Sequence, residues 1–286
     1  MNDKASAVST NRAQADRVPI SAFVITYNEE DHITACLSSL DFCDEVIVID
    51  SFSTDNTVNI AKSLGAKVIQ RKWPGYRDQK AFGLESVSNE WVLNLDADEC
   101  VSEELRERIL EILGREKAGD LSSLSINGYY INRVVHYLGR WWRRGGWYPE
   151  YRLRLFRKSQ TKWGGSDPHE KPIVSGPTAR IGGEIYHYTY RNMDEQFERL
   201  HRFSSIAAKD EFLKGRRCSI ASLLLNPILR TLKFYVLKRG FREGKAGFII
   251  AVTEGYYTFM KYAKLWEHEF NQLAQKYEKP INEERR

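Results

Sequence analysis

The feature that most constrains this chain is an alternation. Four short runs rich in β-branched and apolar residues stand in its first third: PISAFVITY (19–27), EVIVID (45–50), AKVIQ (66–70) and WVLNL (91–95). Between them lie segments whose apolar residues recur at helical spacing. Asn28 is a candidate cap for a helix over 29–40, with Ile33, Cys36, Leu37 and Leu40 on one face. STDNT (53–57) opens a second helix, 58–64, which Gly65 closes. A third is expected near 78–86, and Ser102 caps a fourth that runs to about residue 116. Strand and helix repeated in this way give an α/β fold, an open parallel sheet with right-handed crossovers. EVIVID is apolar almost throughout, as a strand covered on both faces must be.

In such a sheet ligands bind at the carboxyl ends of the strands. The sequence delivers Thr26-Tyr27-Asn28-Glu29 after the first strand, Asp50-Ser51 after the second and Asp96-Ala97-Asp98 after the fourth. Two carboxylates one residue apart repel each other, and a divalent cation relieves the repulsion. Oxygen ligands suit Mg²⁺ or Mn²⁺, which take one or two protein carboxylates and fill the remaining positions with water and phosphate. A cation held there can neutralise a diphosphate leaving group. The competing reading is a solvated turn; the position at a strand's carboxyl end favours the metal. Glu99, beside the pair, is left to solvent or to the following helix.

Composition narrows the function. The net charge of +5 over 286 residues is too small for a general nucleic-acid binder, and an apolar share of 42% supplies a full core. Cys36, Cys43, Cys100 and Cys218 form no CxxC pair and read as free thiols in a reducing compartment. Residues 1–17 are polar, lack an apolar segment and are expected to be a disordered tail. No uninterrupted apolar run approaches the ~20 residues of a membrane span.

After residue 120 the pattern changes. Residues 127–139, 151–158 and 184–190 look like strands that extend the sheet and wall off a cleft. Arg152 and Arg154 alternate with leucines and so share one face, suited to an anionic substrate or to plain exposure. RWWRRGGWYPE (140–150), with Trp142 and Arg143, mixes rings that stack on sugars with arginines that meet phosphates; core packing of the tryptophans is the alternative. KWGGSDPHEKPIV (162–174) crowds Asp167, His169 and Glu170 around Pro168. A carboxylate here is a candidate general base, Glu170 before Asp167. His169 is either a contact to donor or acceptor or a structural residue.

FVITYNEE, VIVIDSFSTDNT and WVLNLDADE, in this order and spacing, resemble the nucleotide-sugar-binding half of inverting family 2 glycosyltransferases of the GT-A fold. The likeness covers roughly residues 18–190. It implies a parallel sheet with added antiparallel strands. It implies that Thr26, Tyr27, Asn28 and Glu29 hold the nucleotide and that Asp50 meets the uracil with Ser51 nearby. Asp96 would then lie near ribose and metal, and Asp98 would ligate the metal. An acceptor-only carboxylate suits the uracil imide N–H, although Asp50 also fits a turn role. Lys80 or Arg77 stands where the family usually has a polar residue before the fourth strand and could touch the diphosphate. A late histidine completes the metal set in some GT-A enzymes; here it would be His187, which otherwise reads as a packed strand residue.

From residue 192 the chain is expected to be a helical, basic extension. Arg216, Arg217, Arg230, Lys233, Lys238, Arg239, Arg242 and Lys245 are interleaved with apolar residues and face one acid, Glu243. Such a segment, broken by Pro227, lies on an anionic membrane surface or packs on the protein or a second copy in a homodimer. Phe248, Ile249, Val252, Tyr256, Phe259, Met260, Ala263 and Trp266 form a stripe expected to be core or interface. SFSTDNT, RKWPGYRDQKAFGLE, LNLDADE, DPHEKP and IYHYTYRN resemble the lipopolysaccharide core branch of the family. That branch implies a UDP-hexose donor, glucose foremost, and a lipid-anchored, anionic inner-core heptose acceptor. It implies a peripheral enzyme at the cytoplasmic face of the inner membrane. Another lipid-linked acceptor, or a non-catalytic scaffold, is the rival reading.

Overall fold

The computed structural model describes residues 16–120, 125–165 and 170–277. These fall into two compact units, one comprising residues up to 136 and 149–189, the other 137–148 and 190 onward.

The first unit is built on the alternation. Strands β1 (Ile20–Thr26), β2 (Glu45–Asp50), β3 (Lys67–Gln70) and β4 (Trp91–Asp96) are separated by helices α1 (Ile33–Ser38), α2 (Thr57–Ser63) and α3 (Tyr76–Ser86). All are parallel, in the order β3-β2-β1-β4. β1, central and flanked on both sides, is buried at every position. Helix α4 (Glu103–Lys117) starts where Ser102 Oγ accepts from the Leu105 amide, as its sequence requires. Beyond β4 the sheet continues antiparallel through β8 (Glu150–Arg157) and β6 (Gly128–Tyr137), then through β11 (Thr178–Tyr188), parallel to β6, to the short β5 (Glu99–Val101). β9 (Thr161–Gly164) and β10 (Lys171–Val174) form a separate ribbon. One face of the sheet packs Ile33, Leu40, Leu105 and Ile109; the other packs Leu84, Val87 and Trp163. The structure therefore has the expected mixed α/β sheet.

Two local readings are corrected. Asn28 does not cap α1. It adopts a left-handed conformation (φ 55°), and its Oδ1 accepts from the Thr54 amide of the neighbouring loop instead. Asn tolerates that region because its short polar side chain bonds locally. The helix itself starts five residues later, at Ile33. β5, three residues long, has too little sequence to show a period.

The second unit holds β7 (Arg140–Trp142) and helices α5 (Met193–Leu213), α6 (Ile220–Leu232) and α7 (Gly244–Tyr277). Asn192 caps α5 through the Glu195 amide, and Ser219 with Ser222 forms a capping box for α6. α6 ends in a π-helical turn, Lys233–Leu237. α6 and α7 approach closely at Gly255, where a Cβ would collide with Thr231 Oγ1 and stand 3.0 Å from the Pro227 carbonyl. Of the α7 stripe expected to be core or interface, Phe248, Val252, Phe259 and Trp266 are exposed and Ile249, Tyr256, Met260 and Ala263 half-buried, whereas Ile250, Ala251, Thr253 and Leu265 are buried. Residues 220–237 are also long and apolar enough by composition to cross a membrane, because only Arg230 and Lys233 are charged among them.

Candidate active site

The register of β1 with its neighbours sets the site. Thr26 pairs with Asp50 on one side, and Ile25 with Asp96 on the other, so three strand ends meet on one edge. The loop after β1 is laced to the loop after β2. The Asn28 amide donates to Ser53 Oγ (2.9 Å), the Glu29 amide to Thr57 Oγ1 (2.8 Å) and the Glu30 amide to Asp55. Tyr27 stays exposed at the tip, and Glu29 pairs with His32 (3.0 Å). Thr26 Oγ1 is buried with no hydrogen-bond partner among the described residues, a polar atom aimed into the edge.

Asp50 is fully buried, and its oxygens accept from Ser53 N, Ser53 Oγ and Gln70 Nε2. Its carboxylate organises the turn here, with three donors on its two oxygens. Ser51 lies beside it: its amide donates to the Thr26 carbonyl, and its Oγ accepts from Gln79 (3.2 Å). Gln79 and Lys80 are buried on α3. That helix rides close to the sheet at Gly83, where a Cβ would be driven into the Phe23 ring.

Asp96 is enclosed by cations. Its Oδ2 accepts from Arg154 (2.7 Å), and its Oδ1 lies 3.0 Å from Lys80 Nζ. Burial alone would push its carboxyl up; Arg154 and Lys80 overcome that and hold it well below the usual carboxylate range. The line of charge continues inward. Arg154 donates to Glu99 (2.6 Å) and to Asn94 (2.9 Å), Glu99 accepts from Arg133 (3.1 Å), and Arg133 pairs with Glu150 (2.8 Å). Glu99 is fully buried and also accepts from the Asp96 amide at 3.0 Å. The residue assigned to solvent in the sequence is thus the anchor of the turn. Arg154, expected to face an acceptor, is instead engaged by Asp96 and Glu99. Only Arg152 of that pair is exposed, and it is paired with Glu150.

Asp98 and His187 meet. His187 Nε2 lies 3.2 Å from Asp98 Oδ2, and the Tyr188 amide donates to the Asp98 carbonyl (2.9 Å). Strand pairing explains this: β11 runs against β5 with His187 opposite Glu99, which carries the late histidine back to the acidic turn. The pair could supply two ligands to a divalent cation; among the described residues no group of three or more His, Cys, Asp or Glu is gathered there. Two ligands on adjacent corners of an octahedron with bonds of about 2.1 Å lie about 3 Å apart, which is the spacing found, and neutral imidazole and carboxylate both ligate Mn²⁺. His187 Nδ1 is buried without a partner among the described residues.

Glu170 reaches the same edge. The β9–β10 ribbon sets Lys171 opposite Gly164, and Glu170 Oε1 lies 3.1 Å from Lys80 Nζ. Its Oε2 is buried and without a hydrogen-bond partner among the described residues. Asp167 and His169 lie outside the described residues. Trp142 is not on this edge. It is sealed in the core of the second unit, its indole donating to the Tyr137 carbonyl (2.9 Å), and its ring offers no face to a sugar. Arg143, next to it, is exposed. The residues that sequence reasoning missed are Glu99 and Arg133. An arginine facing out of an antiparallel strand beside a buried acid gives no periodic signal.

The profile of glycosyl transferase family 2 matches residues 21–168. The chain is 30% identical over 88% of its length to the lipopolysaccharide core biosynthesis glycosyltransferase LpsC of Rhizobium meliloti, covering 93% of that protein. It is 34% identical to an uncharacterised glycosyltransferase of Rickettsia typhi, over 87% of each chain. A crystal structure of glucosyl-3-phosphoglycerate synthase from Mycobacterium tuberculosis aligns with 44% of this chain and 47% of its own, at 26% identity and a TM-score of 0.33, too low to carry an argument. A mixed α/β sheet with an acidic turn at the end of its fourth strand, matched by the family profile and by full-length relatives, makes this chain a glycosyltransferase of the GT-A fold and a member of glycosyl transferase family 2.

Proposed function

We propose that the chain transfers a hexose, glucose foremost, from a UDP-sugar to a phosphate-rich heptose of the lipopolysaccharide inner core, inverting the anomeric configuration. The observation that carries this reading is the convergence on one sheet edge of the Asp98–His187 pair, Asp96 and Glu170. Asp98 and His187 would hold Mg²⁺ or Mn²⁺, which when bound supplies positive charge against the diphosphate leaving group. Thr26, Tyr27, Asn28, Glu29 and Ser51 line the end where the nucleoside would sit. Glu170 takes the proton of the acceptor hydroxyl as its oxygen forms a bond to the anomeric carbon and the bond to the β-phosphate breaks. Asp167 is the other candidate for that proton. LpsC, by name a core-biosynthesis enzyme and similar over nearly its whole length, supports the acceptor class.

The lipid-linked acceptor and the outer face of α6 belong to one reading. Ile220, Leu224, Leu225, Ile228, Leu229 and Leu232 are at least half exposed. Arg216 and Arg217 precede them; Lys238, Arg239, Arg242 and Lys245 follow. The opposite side of α6 is occupied, since Arg230 pairs with Glu254 of α7 (2.7 Å) and Pro227 abuts Gly255. A helix so covered on one side lies in the membrane interface rather than spanning it. Each flanking cation adds about 1 kcal/mol on an anionic surface. These features support the reading of a peripheral enzyme at the cytoplasmic face of the inner membrane.

The test is a screen of UDP-sugars, with Mn²⁺ and with chelator, against heptose-terminated lipopolysaccharide truncations, read by mass. Addition of one hexose from UDP-glucose, only with metal, is expected. Transfer to polyprenyl phosphate instead would replace the acceptor.

A further inference from the structure

Lys80, a candidate diphosphate contact in the sequence, is held by two carboxylates. The residue is 7% exposed, and its ammonium stands between two carboxylates far apart in the sequence: Asp96 Oδ1 at 3.0 Å and Glu170 Oε1 at 3.1 Å. The Glu170 side chain is itself nine-tenths buried, and its second oxygen has no partner among the described residues. Asp96 does not depend on Lys80 alone, because Arg154 also holds it. For Glu170, Lys80 is the ion-pair partner the described residues supply. A buried carboxylate without its counter-charge is strongly unfavourable, so it swings toward solvent or takes up a proton. Either response removes a base from a reaction centre.

Glu170 stands just before β10, a four-residue strand in a two-stranded ribbon of its own, whereas Lys80 sits on a helix packed flush against the central strand. Rigid positioning therefore runs from the sheet, through α3 and Lys80, to Glu170 and not the other way. We propose that Lys80 is a positioning residue for the reaction: one ammonium ties the candidate base to the carboxylate at the donor end of β4, and so sets the acceptor's proton acceptor against the site of the leaving group. This rests on Glu170 being the base, as read above.

The role differs from that of a lysine bound to the diphosphate. A diphosphate contact would be lost in donor affinity, whereas a tether is lost in turnover. The experiment is a double-mutant cycle with the full chain, UDP-glucose and heptose-terminated lipopolysaccharide. Lys80→Met removes the charge at similar volume, Glu170→Gln removes the base, and Lys80→Arg keeps a cation in reach. UDP binding with Mn²⁺ is measured by calorimetry and folding by thermal melt. Lys80→Met is expected to lower kcat about 100-fold, within the range a general base supplies, with UDP affinity changed less than about threefold. In the Glu170→Gln background, Lys80→Met should cost less than about threefold more. Lys80→Arg should restore kcat to within about tenfold of the parent, which a variant that misfolds would not report.

Loss of UDP affinity matching the loss of kcat/KM would overturn the tether, as would multiplicative losses in the double variant. Near-parental turnover of Glu170→Gln would instead remove the base assignment, and this role for Lys80 with it.

Discussion

The donor edge of the sheet and the outer face of α6 treat polarity in opposite ways. At the edge, charges are largely taken out of water and each cation is shared between two carboxylates: Lys80 with Asp96 and Glu170, Arg154 with Asp96 and Glu99, Arg133 with Glu99 and Glu150. On α6, leucines and isoleucines are left in water with cations at both ends. Neither arrangement is what folding alone favours. Buried ion pairs are often no better than apolar packing, and an exposed apolar face of this length is a liability for a protein in solution. On the function proposed above, both are surfaces for something of complementary chemistry: a cation with a diphosphate at the edge, a lipid surface at the helix.

Removing one member of the edge should have the largest effect. Asp98→Ala is expected to lower transfer at least about 1,000-fold and to abolish the metal dependence of UDP binding, measured by mass-read turnover and by calorimetry with and without chelator. Normal turnover of that variant in chelator would break the metal reading outright. Next comes Arg154→Met. It leaves Glu99 buried and without one of its two arginines, and should destabilise the catalytic unit by about 3–5 kcal/mol in urea denaturation. A loss under about 1 kcal/mol would mean that the line of charge is not a structural element.

On the other face the expected change is in location, not in chemistry. Replacing Leu224 and Ile228 by Glu should reduce sedimentation with vesicles containing anionic lipid by about tenfold or more, while UDP-glucose hydrolysis without acceptor stays at the parental rate. If the variant bound vesicles unchanged but lost a dimer in ultracentrifugation, the face would be a contact between copies. The smallest effect is in pH. Asp96 is held below its usual range when folded, so its contribution to stability is fully present above about pH 4. It is lost as pH falls through the depressed value. Urea midpoints measured downward from pH 6 should decline below about pH 4, and Asp96→Asn should flatten that decline.

Much of the catalytic unit could be read from the chain because β1, β2 and β4 are largely buried on both faces and their composition admits little else. Asp96 and Asp98 were visible for the same reason: carboxylates at the end of an apolar strand stand out. Their partners were not. Arg154 and Arg152 look alike in RLR, yet one lies inside the site and the other at the surface, because β8 is irregular at Arg154, whose neighbours Leu153 and Leu155 pair with consecutive residues of β6, Tyr130 and Tyr129. Trp142 could stack on a sugar or fill a core on composition alone; packing against Tyr137 and Trp147 decides for the core. Glu99 resembled part of a solvated acidic turn, since nothing local announces two arginines arriving from distant strands. Asn28 scored as a cap because the same side chain that caps helices also stabilises left-handed turns.

Strand pairing also orders the assembly of the enzyme in time. β5 follows directly on the acidic turn, but its partner β11 is synthesised only after β6 and β8. A chain emerging from the ribosome thus completes its parallel strands and its nucleotide end long before His187 exists. Such long-range pairing closes late. Asp98 spends that interval without the histidine, and the parallel strand ends are complete before the Asp98–His187 pair can form.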